Sequence, residues 1–174
     1  MDTSASTQSL AGARVLILDD QDLMRRFLQR VLVGEGCQVE TVRNGKEGLQ
    51  VLLKQDFDVV ILDLRMPEMD GMAFLQEARK IWPWLGLIIT SGYLDDRDVE
   101  KARRAGVTRV LPKPVEINAL LDAVRAEVRL KSERTRPRSA DLFDRMQYQL
   151  GVLRQIGESA VEAQSLAQAL KSMG

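Results

Sequence analysis

The feature that most constrains this chain is a set of short apolar runs that end in residues of reactive type. Residues 15–18 (VLIL) lead into Asp19-Asp20, 59–62 (VVIL) into Asp63, 87–89 (LII) into Thr90-Ser91, and 107–111 (VTRVL) into Pro112-Lys113-Pro114. Residues 39–42 (VETV) form a weaker fifth run. Apolar runs this short and continuous predict strands of a sheet covered on both faces.

Amphipathic helical patterns fall between the runs. Leu23, Phe27, Leu28, Val31 and Leu32 share one stripe, Leu49, Leu52 and Leu53 a second, and Met72, Leu75 and Ala78 a third. Val99, Ala102 and Ala105 make a weaker fourth stripe. Ile117, Leu120, Leu121, Val124 and Val128 make a fifth. Gly34 and Gly36 are placed to end the first helix, Asn44-Gly45 to open the second, and Pro83 to close the third. Strand then helix, repeated five times, gives right-handed crossovers and a parallel sheet. The expected fold is α/β: a flavodoxin-like, doubly wound, five-stranded sheet in the order 2-1-3-4-5, with helices on both faces and a further C-terminal helix. Unrelated proteins share this fold, so function has to come from the site.

Composition narrows the chemistry. The 174 residues contain no histidine and one cysteine, Cys37. That excludes Ser-His and Cys-His catalytic pairs, zinc sites built from Cys and His, and any disulfide within the chain. Lys+Arg and Asp+Glu are 25 each, so bulk charge gives no case for nucleic acid. The N-terminal MDTSASTQSLAGAR lacks a signal pattern, and no run is long enough to span a bilayer. We therefore expect a cytoplasmic protein with no membrane association. Cys37 reads as an inert packed residue, and Trp82 and Trp84, flanking Pro83, as packed or turn residues.

The organisation reads as a disordered tail over residues 1–12, one domain over 13–130, a basic linker over 131–140 and a helical extension over 141–174. Residues 129–138 (RLKSERTRPR) hold five basic residues and one acidic, with Pro137 against continuous helix. A solvated connector is the simpler reading of that run than a nucleic-acid contact. Beyond it, Leu142, Met146, Leu150, Leu153, Ile156, Ala160, Ala163, Ala167 and Leu170 recur with a mean step of 3.5 residues, the period of a coiled-coil seam. The steps are irregular and three of the nine positions are alanine, so helix is the firm reading.

In an open α/β sheet, ligands bind outside the carboxyl ends of the strands. Asp19, Asp20, Asp63, Ser91 and Lys113 should therefore meet at one edge. Adjacent carboxylates resist ionising together, and a divalent cation relieves them. Mg2+ suits oxygen ligands and pairs with phosphate. A carboxylate can itself accept a phosphoryl group as an aspartyl phosphate, and an ammonium would offset charge on the phosphoryl oxygens. Each residue alone has a bland explanation: Asp19-Asp20 as a helix cap, Asp63 or Ser91 as a loop residue, Lys113 as a solvated side chain. Their joint occurrence at four strand ends makes the bland explanation a poor one.

The stretches VLILDDQ (15–21), DVVILDLRMPEMDG (58–71), LIITSG (87–92) and VLPKP (110–114) resemble the receiver domains of two-component response regulators, of the chemotaxis-regulator kind, over about residues 13–130. The resemblance implies that Asp63 is the phosphoacceptor. It implies Mg2+ held directly by Asp20 and Asp63 and by the backbone carbonyl of Arg65, with Asp19 acting largely through water. Lys113 would contact the phosphoryl group, with a cis bond to Pro114, and Ser91, rather than Thr90, would be the switch hydroxyl. Pro67 and Gly71 match the loop after the phosphoacceptor. The donor would be a phosphohistidine on a histidine kinase or phosphotransfer protein. The family often has an aromatic partner of the switch where this chain has Val110, which puts aromatic reorientation in doubt. Arg65 and Tyr93, each two residues past a site residue, are large and flank the expected path of the hydrolytic water, so slow autodephosphorylation is expected.

The functional expectation is a phosphorylation-dependent switch that modifies only itself and is not a turnover enzyme. Its C-terminal helix would act on a partner or pair with a second copy. A receiver portion of a longer signalling protein is the main alternative. A scaffold that keeps the fold without the chemistry is disfavoured by the intact acidic set. DNA binding is not expected, because the residues after the linker read as one helix without a recognition pair.

Overall fold

The computed structural model describes residues 9–92, 96–133 and 150–151. The chain divides into two compact units, Met1–Thr135 and Arg136–Gly174. In the second, Leu150 and Gly151 are helical. The expectations for the rest of the extension, for most of the basic linker and for Tyr93 lie outside the described residues.

The first unit alternates strand and helix: β1 (Arg14–Leu18), α1 (Asp22–Gly34), β2 (Gln38–Val42), α2 (Gly45–Lys54), β3 (Val59–Asp63), α3 (Gly71–Ile81), β4 (Gly86–Ser91), α4 (Asp96–Arg104), β5 (Arg109–Pro112) and α5 (Ile117–Glu133). The five strands lie in the order β2-β1-β3-β4-β5 and every pairing is parallel. This is the expected doubly wound arrangement. The neighbours β1 and β3 are not consecutive in the chain: the connection leaving β1 leads to β2 on one side and that leaving β3 to β4 on the other, and a crevice opens between them outside the carboxyl ends.

Alternation along the strands divides the core. Val15, Ile17, Val59, Ile61 and Ile88 pack with Leu28 and Leu32 of α1 and Leu120, Leu121 and Val124 of α5. The intervening Leu16, Leu18, Val60, Leu62, Leu87 and Ile89 are equally buried and point to the other face. There Gly48 of α2 lies against Leu18 and against Phe74 of α3. Each such aliphatic side chain contributes roughly 1.5–3 kcal/mol by leaving water. Local chemistry starts two of the helices. Asn44 Oδ1 accepts from the Glu47 amide at 2.8 Å, and Asp70 Oδ1 from the Ala73 amide at 2.8 Å, which satisfies donors a helix start otherwise leaves open.

Several expectations are corrected. The N-terminal tail does not extend to residue 12: Leu10 is 2% exposed within the core, and the Gly12 amide donates to the Gly36 carbonyl at 2.9 Å. An apolar residue that close to the first strand reaches the core and gains its burial energy. At the other end α5 runs to Glu133, into the expected linker. Lys131 ion-pairs with Asp58, so its charge has a partner on the domain. The last strand begins at Arg109, because Val107 is held in the turn that ends α4, its amide donating to the Ala102 carbonyl at 3.0 Å. On α1, Leu23 and Phe27 fall outside the buried face (82% and 36% exposed), which instead holds Arg25, Leu28 and Leu32. Val99 of α4 and Ile117 of α5 are likewise exposed. Among the described side chains of α4, Ala102 alone is buried. No helix among the described residues is long and apolar enough to cross a membrane.

Candidate functional site

Parallel strands end together, so polar residues that follow their apolar runs gather at one edge. Carboxylate oxygens of Asp19, Asp20 and Asp63 lie within 4.8 Å of one another. Asp19 and Asp63 are buried, whereas Asp20 is exposed. Lys113, just past β5, bridges the two buried acids: its Nζ lies 2.8 Å from Asp19 Oδ2 and 3.0 Å from Asp63 Oδ2.

The loop holding Lys113 is fixed to its neighbour. The Lys113 amide donates to the Ser91 carbonyl at 2.8 Å, and the Lys113-Pro114 bond is cis. Ser91 ends β4 and is buried. Thr90 stands opposite Asp63 in the register of β3 and β4, and its hydroxyl is buried without a hydrogen-bond partner among the described residues. Val110 is half-buried and Arg65 exposed, with the Arg65 amide 3.4 Å from Asp63 Oδ1. Gly71 opens α3 directly against the acid's backbone. A Cβ there would lie 2.4 Å from the Asp63 carbonyl oxygen, so only glycine allows this approach.

The electrostatics are unbalanced. Burial raises the Asp19 carboxyl above its ordinary range, against the lowering effect of its bonds to Lys113 and the Gln21 amide. Burial acts to lower Lys113, but its bonds to Asp19 and Asp63 outweigh that and raise it. One ammonium therefore faces three carboxylates. A divalent cation with oxygen preference would remove the remaining repulsion, so the donor set fits Mg2+.

Comparison with known proteins agrees with this geometry. The sequence profile of the response regulator receiver domain matches residues 15–125. The chain belongs to this family. As a receiver it is similar to the transcriptional regulatory protein GlrR of Escherichia coli strain K12, 39% identical over 112 residues, which are 64% of this chain and 25% of GlrR. It is 34% identical over 128 residues to the DNA-binding transcriptional regulator NtrC of the same strain, covering 74% of this chain and 27% of NtrC. The receiver thus spans about a quarter of the length of these relatives. Among solved structures, a CheY-like receiver domain protein of Methanospirillum hungatei JF-1 superposes with a TM-score of 0.68 at 26% identity, covering 71% of this chain and 98% of that one. A receiver domain protein of Clostridium thermocellum gives 0.66 at 31% identity, covering 70% and 98%. Receiver domains of this family take part in two-component signalling, with histidine kinases or phosphotransfer proteins as partners and Mg2+ bound through acidic residues.

Of the residues singled out from sequence, the receiver fold brings Asp19, Asp20, Asp63 and Lys113 into one cluster, with Ser91 adjoining through the Lys113 amide. Sequence reasoning gave Lys113 a phosphoryl contact and did not foresee its bond to Asp19. It also passed over Arg25, whose guanidinium is buried behind the acid pair. The available signal was an arginine three and seven residues before Leu28 and Leu32, on an otherwise apolar face.

Proposed function

We propose that this receiver accepts a phosphoryl group on Asp63 from a phosphohistidine donor and acts as a phosphorylation-dependent switch. The observation that carries the reading is the Lys113 ammonium bridging Asp19 and Asp63 inside a cluster of three carboxylates. An Asp63 carboxylate oxygen attacks phosphorus, an O–P bond forms, and the P–N bond to the donor imidazole breaks. The imidazole leaves with the bonding pair and takes up a proton. Lys113 offsets charge on the phosphoryl oxygens. Asp20 and Asp63, with the Arg65 carbonyl, would hold Mg2+ directly and Asp19 through water; the ion supplies charge neutralisation when bound.

Ser91 would donate its hydroxyl to a phosphoryl oxygen, drawing in the loop after β4 and shifting the balance between two receiver states. Val110, lacking a polar tip, would accommodate this movement by packing alone. The thinly packed α4 is the element such a shift would move most readily. The chain would modify only itself and not act as a turnover enzyme. A cytoplasmic location fits a phosphohistidine donor.

The output is proposed to run through the C-terminal segment, by pairing with a second copy or with a protein partner rather than DNA. A receiver portion of a longer signalling protein is a second reading, favoured by the small share of GlrR and NtrC that the match covers. The test of the chemistry is intact mass after acetyl phosphate and Mg2+. One phosphoryl group is expected on the parent and none on Asp63→Asn. A parent that gains none, and does not respond to beryllofluoride, supports a scaffold instead. Light scattering with and without beryllofluoride tests pairing, and an unchanged monomer in both states contradicts it.

A further inference from the structure

We infer that Arg25 is a positioning residue that sets the acid pair of β1 before any metal arrives. The inference rests on the Mg2+ site proposed above. Arg25 lies in the second turn of α1 and is only 7% exposed. Its Nη1 donates to the Asp19 carbonyl at 2.6 Å, and its Nη2 to Asp22 Oδ1 at 2.9 Å. Burying a charged group this far is costly unless it is paired and hydrogen-bonded. Here the hydrogen bond is made to the loop that carries the acids and the ion pair to Asp22 at the start of α1.

The Asp19 carbonyl belongs to the peptide that joins Asp19 to Asp20. The ladder between β1 and β3 ends at Leu18 and Leu62, so this oxygen lies one residue beyond the paired strand. Arg25 takes it up. The other polar groups of Asp19 are also engaged: its amide donates to the Val42 carbonyl at 3.2 Å, Oδ1 accepts from the Gln21 amide at 2.8 Å, and Oδ2 accepts from Lys113 at 2.8 Å. With the carbonyl held as well, the peptide plane is fixed. Its orientation places the Cα of Asp20, and the bond from the next amide, that of Gln21, to Asp19 Oδ1 restrains the other side of that residue, so that the two together direct its Cα–Cβ bond. Asp20 is the exposed member of the cluster, and it gets its direction from a backbone fixed on the buried side.

The planar guanidinium suits this task because it reaches two acceptors in a fixed fork. A lysine would keep the charge, but its one nitrogen could not reach both acceptors in that fork. Arg26, beside it, also pairs with Asp22, at 2.7 Å, yet its side chain is 77% exposed. It supplies the control: the same charge and the same anionic partner without burial behind the acids.

The test titrates the whole 174-residue chain with Mn2+, an oxygen-preferring stand-in for Mg2+, and follows free Mn2+ by electron paramagnetic resonance, with circular dichroism checking the fold. Arg25→Met is expected to weaken Mn2+ binding about tenfold or more, as loss of groups that orient ligands does. Arg25→Lys should recover affinity to within about threefold, because its one nitrogen can still donate to the Asp19 carbonyl. Arg26→Met should bind like the parent. A folded Arg25→Met with parental affinity, an Arg25→Lys as weak as Arg25→Met, or an equal loss in Arg26→Met overturns the inference. A second measurement needs no variant. In the metal-free parent the Asp20 amide should show an NMR order parameter near about 0.85, and a value below about 0.6 overturns pre-ordering even if Arg25→Met does not fold. If the parent itself binds no Mn2+, the proposed metal site fails, which is a separate result.

Discussion

The Lys113 ammonium lies 3.0 Å from Oδ2 of Asp63, across 50 residues of chain. The contact is made beneath the surface: the lysine side chain is 13% exposed and that of Asp63 7%. Removing the ammonium leaves two buried carboxylates facing each other without their shared partner. Lys113→Met should therefore lower the stability of the metal-free protein by about 3 kcal/mol, the usual scale for breaking a buried pair from one side. Urea unfolding in a chelator measures it, and added Mg2+ should restore part of the loss. An unchanged urea midpoint contradicts the prediction.

The same pair predicts an alkaline limit. Lys113 has a folded pKa raised above its ordinary value, because its bonds to Asp19 and Asp63 outweigh burial. A lysine of this kind stabilises the fold fully below its unfolded pKa of about 10.4. That contribution is lost as pH rises through the higher folded value. The stability gap between the parent and Lys113→Met should be constant from neutrality to about pH 10 and close above it. Paired urea titrations across that range decide this, and a gap that survives well above the lysine range refutes it.

Thr90 and Ser91 are adjacent, but their hydroxyls should behave differently. The Thr90 hydroxyl is buried without a partner among the described residues, an arrangement that costs roughly 1–3 kcal/mol. Thr90→Val should leave the fold as stable or raise it by about 1 kcal/mol, and preserve the beryllofluoride response. Ser91→Ala should still accept a phosphoryl group but lose the accompanying spectral change in the loop after β4. NMR spectra of both variants check this, and a Thr90→Val protein that loses the response would exchange the two roles.

Arg79 of α3 makes a structural clamp at the opposite edge of the sheet. It donates to the Ala105, Pro83, Leu85 and Gly106 carbonyls at 2.9, 2.6, 3.1 and 3.2 Å. These carbonyls belong to the turns that enter β4 and β5. Arg79→Ala should destabilise the domain by about 2–3 kcal/mol through the loss of charged hydrogen bonds. Phosphorylation by acetyl phosphate should continue at the parental rate under folding conditions. Urea unfolding and intact mass together test the separation, and a stability unaffected by the change counts against it.

Arg65 is exposed two residues past Asp63, beside the expected path of the hydrolytic water. Arg65→Ala should shorten the lifetime of the aspartyl phosphate. A phosphate-release half-life of seconds in the parent, unchanged by the substitution, contradicts slow autodephosphorylation.

The fold was legible because its signals are local. Apolar runs, intervening stripes and the punctuation at Asn44-Gly45 each mark an element within a few positions. The cluster was legible because parallel strands align their carboxyl ends, so Asp19, Asp63 and Lys113 had to share an edge. The bond between Lys113 and Asp19 spans 94 residues and depends on side-chain conformation, which no local pattern encodes. Periodicity also marks a face without naming what covers it. Leu23 and Phe27 continue the apolar stripe of α1 yet are exposed, while Arg25 is buried because the Asp19 carbonyl and Asp22 satisfy it. Leu10 escaped notice because a single apolar residue in a polar tail has no period at all.

Whether Asp63 carries the phosphoryl group is read out chemically by borohydride trapping. The protein is treated with acetyl phosphate and Mg2+, the acyl phosphate is reduced by borohydride, and peptides are sequenced by tandem mass spectrometry. Homoserine is expected at position 63, with Asp19 and Asp20 intact and no conversion without acetyl phosphate. Homoserine at Asp19 or Asp20 instead, or an unconverted Asp63 in protein that has gained a phosphoryl group, would contradict it.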